Sequence, residues 1–247
     1  MTTQTLQPTS RLAGIWSVIR LHFNKRKITL IHPFSILGLV IAVTIIITLV
    51  LSRVGIDTST LEYAQGARGN QGVIWSIGGF FGYLGVASVA TTFHFALALG
   101  ATRSNFALGT LASHVLLAAY TSVVTVVLLL LEKATGQWFV NAYVFDSIFL
   151  GSGNVKTAAV VMFLATLTIF SLGGVFAASW VRFGSRGPLL LAGGAVLVIV
   201  LFLLGFAPKL ADIFAGFQAW WLAVIAGVLI ALSVLGEYLL LRKASVR

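Results

Sequence analysis

The ionisable side chains within long apolar stretches are the residues of this sequence with the clearest chemical potential. His94 lies nine residues before Arg103, and His114 lies eleven residues after it. In an antiparallel hairpin that turns near Ser104, the two imidazoles would lie at similar depth and could face a shared cavity. There they would contact a substrate or exchange protons. We favour the other interpretation, in which two neutral imidazoles are bonded to nearby hydroxyls, namely those of Thr91, Thr92, Thr110 or Ser113.

Glu237 is the one acidic residue inside an expected membrane span, near the end of that span. Its carboxylate could reach Arg242 or water, or it could bind Arg182 or Arg186 across a helical bundle, and we favour a structural role. Two histidines without a cysteine or carboxylate partner do not make a metal site, and the chain has no cysteine. No hydrolase motif is present. We therefore expect neither a metal site nor a catalytic site, and the chain is not expected to be an enzyme.

Long stretches without charge must position these side chains, and each is at least ~20 residues, the length of a helix that crosses a bilayer. Only 9% of the residues are charged and the mean hydropathy is +1.03, which leaves no room for a separate soluble domain. We expect an all-α integral membrane protein with a transmembrane domain over 28–241, an N-terminal segment over 1–27 and a tail over 242–247. The six expected spans are 30–52, 72–98, 108–131, 157–181, 189–206 and 220–241.

The distribution of charge predicts the orientation. With the N-terminus inside, the inner segments hold 11 basic residues and one acid, and the outer segments hold five of each. The positive-inside rule then places both termini in the cytoplasm. The net charge of +10 reflects this rule and does not indicate a nucleic-acid partner.

Two segments outside the spans are apolar enough to pack against the membrane domain. Residues 11–27 have the spacing of an amphipathic helix that lies at the membrane interface. The expected outer segment 132–156 is rich in aromatic residues, so we expect it to pack on the ends of the spans. In the second span, the Gly78 and Gly82 pair would let another helix approach closely. The apolar residues of the N-terminal helix are Leu12, Ile15, Trp16, Ile19 and Phe23.

The connection between the second and third spans has a pattern of its own. Its single charge is Arg103, and Phe106 follows it. Gly100 and Gly109 bracket a stretch that we expect to form a short helix along the membrane face. A polar tip with one exposed aromatic would fit a groove in a cytoplasmic partner, but from the residues alone we favour an ordinary inner loop.

The run Leu-Gly-Ala-Thr-Arg-Ser-Asn-Phe-x-x-Gly at 99–109 resembles the intracellular loop of bacterial ABC transporter permeases. The closest group is the six-span, exporter-type permease that is a separate polypeptide from its ATPase. The resemblance implies an elbow-like N-terminal helix, a bacterial inner-membrane location, and pairing with a second permease subunit. It also implies that the loop is a coupling helix that contacts an ATP-binding cassette subunit through Thr102, Arg103, Ser104, Asn105 and Phe106.

The chain has no phosphate-binding loop of its own. The nearest stretch, 151–157, has the wrong glycine–lysine spacing, so ATP and Mg²⁺ would belong to the partner subunit. We therefore expect an exporter subunit for hydrophobic or amphipathic cargo, whose translocation path could include His94, His114, Gly78 and Gly82. The alternative is a channel or secondary carrier that works alone.

Overall fold

The computed structural model describes residues 11–24, 27–209, 216 and 218–244. The expected terminal residues 1–10 and 245–247 lie outside this part. No strand occurs in the described residues, so the fold is all-α there, as expected. The helices are α1 (Arg11–Phe23), α2 (His32–Arg53), α3 (Leu61–Ala67), α4 (Gly72–Ala90), α5 (Phe93–Ala98), α6 (Arg103–Ala134), α7 (Val155–Phe183), α8 (Arg186–Phe206) and α9 (Ala219–Arg242).

Six helical segments of the described chain are long and apolar enough to cross a membrane. This confirms the expectation of a multi-pass membrane protein with six spans. The second segment is composite, because α3, α4 and α5 follow one another with short breaks. The six segments are Lys27–Arg53, Leu61–Ala98, Arg103–Ala134, Val155–Phe183, Arg186–Lys209 and Trp220–Arg242.

Helix α7 is the centre of the bundle and packs against α4, α6, α8 and α9. Its closest approach is to α4 at Gly85 and Gly173. A Cβ atom added to Gly85 would lie 2.9 Å from the Phe170 carbonyl oxygen, so the two backbones touch only because side chains are missing there. The expected contact glycines Gly78 and Gly82 face α7 less closely, with 3.7 and 3.9 Å to the Ile169 side chain.

One end of the bundle is covered by the segment 136–154, which we call the cap. Val144, Phe145 and Leu150 of the cap are buried in the main core cluster, which confirms the expected packing of this aromatic segment. The Arg68 guanidinium contacts the Asp146 carboxylate at 3.1 Å and fastens the cap to the α3–α4 connection. The Asn70 amide donates to the Tyr143 carbonyl oxygen at 2.9 Å in the same region.

Candidate functional site

The end of the bundle opposite the cap carries the candidate site. We call it the basic end, because α1, the connection 99–102 and the end of α9 bring Arg20, Arg103 and Arg242 there. Two core clusters of buried residues support the bundle, and the second one lies at this end, around Phe93 and Phe106.

The prediction of a short separate helix between Gly100 and Gly109 is wrong, because α6 is continuous from Arg103 to Ala134. Thr102 starts this helix: its hydroxyl oxygen accepts a hydrogen bond from the Asn105 backbone N–H at 3.1 Å, as an N-cap residue does. The short helix is instead α5, which precedes Gly100. Gly100 has a φ of +88°, the left-handed conformation that commonly ends a helix.

The expectation of an exposed aromatic at Phe106 is also wrong. Its ring is fully buried and packs edge-on against Phe93, with the ring centroids 5.2 Å apart. Phe106 faces inward because it lies in the first turn of α6, on the side that meets α1 and α5. The exposed large apolar residues nearby are Phe95 of α5 and Leu99 of the connection, with 54% and 69% of their surface accessible. Hydropathy does not distinguish these two residues from buried apolar ones.

Arg103 links the connection to the last span. Its guanidinium Nη1 donates a hydrogen bond to the Arg242 carbonyl oxygen at 2.9 Å, where the unpaired carbonyl groups of α9 favour a cation. Ser104 and Asn105 are half-buried, whereas Thr102 is exposed. Of the five expected contact residues, Thr102 is thus the most accessible and Phe106 the least.

Helix α1 lies against the first turns of α6. Val18 is buried there, and a Cβ atom on Gly109 would lie 2.6 Å from the Val18 Cβ atom, so the contact requires glycine. The His22 Nε2 atom and the Thr110 hydroxyl are hydrogen-bonded at 3.0 Å. Burial lowers the pKa of His22 from 6.5 to about 4, which keeps its imidazole neutral at pH 7.

His94 and His114 do not share a cavity, so that expectation is wrong. Because the chain turns at Thr91 and Thr92 between α4 and α5, His94 faces outward on α5 and contacts the Phe93 ring. His114 is buried in α6, where its Nε2 atom lies 2.9 Å from the Ser88 hydroxyl. It is a hydrogen-bonded core histidine, although its partner is none of the four hydroxyls that the sequence suggested.

Glu237 is buried near His114, and its carboxylate forms no ion pair with a described arginine. The expected contacts with Arg182, Arg186 and Arg242 are therefore absent from the described residues. Both Glu237 and His114 lie against Gly174 of α7. Nothing in the local sequence revealed this meeting, because it depends on the packing of three helices.

The described residues form a large groove near the cap and a smaller cleft at the basic end. A groove of about 770 Å³ lies between α2 and the segment 63–76, and its walls include Val43, Ile47 and Ala67. The Thr48 and Tyr63 hydroxyls at its side are hydrogen-bonded to each other at 3.1 Å, which leaves the groove largely apolar. A smaller cleft of about 310 Å³ separates α1 from Leu99 and its neighbours at the basic end.

No three His, Cys, Asp or Glu side chains of the described chain converge to hold a metal ion. Directly after the exposed connection, the start of α6 is joined to α1 by the His22–Thr110 bond and the Gly109–Val18 contact, and to α9 by the Arg103 hydrogen bond. Comparison of the chain with protein family models, with curated proteins and with solved structures found no match.

Proposed function

We propose that this chain is the transmembrane permease subunit of an ATP-driven ABC transporter that exports hydrophobic or amphipathic cargo. The observation that carries the proposal is the construction of the connection at the basic end. Leu99 presents an apolar side chain to the surroundings, while four residues later Arg103 binds the end of α9. We call the connection 99–102 the tip. A soluble subunit that moved the tip would move the third and last spans together.

The rigidity of the tip supports a mechanical role. On the α6 side, Phe106 is locked into a core cluster that also contains Val18 of α1 and Leu241 of α9. Packed cores transmit displacement because they do not deform continuously. ATP and Mg²⁺, bound by the partner, would supply the energy, and the tip would convert closure of the ATPase pair into rocking of the bundle.

Charge and exposed apolar surface support a cytoplasmic basic end. The segments expected on this side hold 11 of the 16 basic residues, which is the bias of inner loops. On α1, Leu12 and Trp16 are exposed, and the Arg20 guanidinium lies 5.6 Å from the centre of the Trp16 ring. Such a helix would lie in the headgroup layer of the inner leaflet of a bacterial inner membrane.

The exposed spans support the proposed pairing with a second permease subunit. Helix α8 packs against α7 but keeps nearly all its length uncovered, from Gly193 to Phe206. A second copy or a related chain would cover part of this face and enclose a path. The apolar groove beside α2 has the size of a small amphiphile and lies near the cap, which suits release of cargo toward the outer leaflet.

A matched pair of variants tests the docking tip. Leu99 at the basic end and Leu61 on α3 are similarly exposed, at 69% and 72%. The tagged protein, expressed from its native locus and solubilised in mild detergent, should co-purify with a stoichiometric subunit that carries a phosphate-binding loop. Leu99→Glu should lose that subunit, and Leu61→Glu should keep it.

Two results would contradict the proposal. Retention of the ATPase by Leu99→Glu would show that docking occurs elsewhere. A clean preparation without any nucleotide-binding subunit would favour a channel or carrier that works alone.

A further inference from the structure

Two ionisable side chains meet inside the membrane-spanning bundle at Gly174 of α7. A Cβ atom built on this glycine would lie 3.2 Å from Cδ of Glu237 and 3.6 Å from Cε1 of His114. Glu237 comes from α9 and is 6% exposed, and His114 comes from α6 and is 2% exposed. The missing side chain of Gly174 thus creates the space in which the two groups come together.

The hydrogen bonds of His114 fix its orientation. The Ser88 hydroxyl donates to the Gly85 carbonyl oxygen at 2.7 Å, which uses its only proton. The imidazole Nε2–H therefore donates to Ser88 over the observed 2.9 Å. The ring also stacks on Phe170, with centroids 5.0 Å apart and planes 12° apart. These contacts hold the Cε1 edge of the ring toward Gly174.

Glu237 lacks the partners that a buried carboxylate needs. Its Oε1 atom is buried without a hydrogen-bond partner among the described residues. The hydroxyl of Ser171, one turn before Gly174 on α7, is likewise buried and unpartnered there. An isolated carboxylate in such surroundings is strongly unfavourable, so the site must compensate its charge.

No other charged group of the described residues forms an ion pair that would compensate the charge of Glu237. Helix α4 carries no charged residue, and those of α6 and α7 other than His114 lie at or near the helix ends. His22 of α1 bonds to Thr110, one turn from His114. The remaining titratable or charged groups on α4, α6, α7 and α9 are Tyr83, Arg103, Tyr120, Glu132, Lys133, Lys156, Arg182, Tyr238 and Arg242.

We propose that Glu237 and His114 form an intramembrane proton-binding site that holds one proton in the closed bundle. With that proton on the Glu237 carboxyl group, the pair is neutral overall, as carboxylic acid and imidazole. Loss of the proton leaves one negative charge, and a second proton leaves one positive charge. Either charge requires water, so proton exchange is linked to separation of α9 from α6 and α7.

The position of Glu237 gives the side from which the proton exchanges. It lies five residues before Arg242, the last residue of α9, which is about 7.5 Å along the helix. The basic end is therefore the nearer route to water. This site does not depend on an ATPase partner, so it is independent of the transporter proposal.

Infrared spectroscopy tests the proton directly. The chain has three glutamates, at positions 62, 132 and 237, so ¹³C-glutamate labelling of the protein in lipid vesicles identifies their carboxyl bands. At neutral pH, one isotope-shifted band of a protonated carboxyl group is expected. It should be absent from Glu237→Gln, whose amide resembles the protonated group, and present in Glu62→Gln.

The wild-type spectrum tests the proposal even if the Glu237→Gln protein does not fold. Absence of any protonated glutamate band at neutral pH would overturn the proposal. Persistence of the band in Glu62→Gln and Glu132→Gln would assign it to Glu237 by elimination, and its loss in either variant would overturn that assignment.

The linkage to helix movement has its own test. Ser233 lies one turn before Glu237 on α9 and is buried, and the chain has no native cysteine. The labelling rate of Ser233→Cys by a membrane-impermeant thiol reagent should rise more steeply at alkaline pH with Glu237 than with Glu237→Gln. Identical pH dependence in both backgrounds, which share the ionisation of the thiol, would overturn the linkage.

Discussion

Replacement of Glu132 should release the cap from the bundle. This residue is fully buried at the capped end of α6, and its carboxylate accepts three backbone hydrogen bonds. The donors are the N–H groups of Val144, Phe145 and Asp146, at 3.0, 2.7 and 3.1 Å. One side chain therefore satisfies three consecutive amides in the stretch 142–147 of the cap, which is neither helix nor strand.

The magnitude follows from the three donors. Each buried N–H left without a partner costs about 1–3 kcal/mol, so Glu132→Ala would cost up to about 9 kcal/mol if nothing relaxed. We expect about 3–5 kcal/mol, because water can reach the loosened cap and replace part of the lost bonding. For a chain of this size, each kcal/mol lowers the unfolding midpoint by about 2–4 °C.

The assay is thermal unfolding in mild detergent, together with amide exchange of residues 142–147. Glu132→Ala should lower the midpoint by roughly 6–20 °C and speed exchange across the cap. Glu132→Gln should lie between, because its amide oxygen can still accept while its NH₂ group faces a donor. The control is the exposed Glu62→Ala on α3, which should change little. A loss below about 1 kcal/mol, or unchanged exchange, would refute the reasoning.

Three further predictions concern the basic end. Phe106→Ala should cost about 3–5 kcal/mol in thermal unfolding, because the ring is fully buried, and an unchanged midpoint would contradict this. Between pH 6.5 and about 4 the unfolded chain binds more protons at His22 than the folded chain does. The contribution of His22 to folding stability is therefore complete above pH 6.5 and is lost as the pH falls to about 4. Proteolysis of α1 should accelerate over this fall in pH, and it should not do so in His22→Gln. Gly109→Ala should detach α1 from α6 in the same assay, whereas Gly193→Ala, with nothing within 4 Å, should not.

The six spans and the packed cap were predictable because they depend on residue type alone. Long runs without charge require a membrane, and aromatic residues outside the spans must be buried somewhere. The start of α6 was also accessible in principle, since Thr102 is a typical N-cap residue. The polar residues before 108 are also typical of a loop, which is why hydropathy alone predicts a later start for this span.

The facing of individual side chains could not be predicted. In a membrane protein, residues that face lipid and residues that face the core are equally apolar, so hydropathy does not distinguish buried Phe106 from exposed Phe95. The proximity of Glu237 and His114 depends on Gly174, against which both side chains lie, and which is 60 residues after His114 and 63 before Glu237. Such a meeting follows only from the arrangement of the helices.

The most direct test of the transporter proposal is site-specific crosslinking from the exposed tip. The chain has no cysteine, so Leu99→Cys provides a unique attachment point for a photoreactive thiol probe in native membranes, with Leu61→Cys as the matched control at the other end. The proposal predicts that Leu99→Cys crosslinks to a protein with a phosphate-binding loop, that ATP changes the yield, and that Leu61→Cys does not. Absence of any nucleotide-binding protein among the Leu99→Cys products would contradict it.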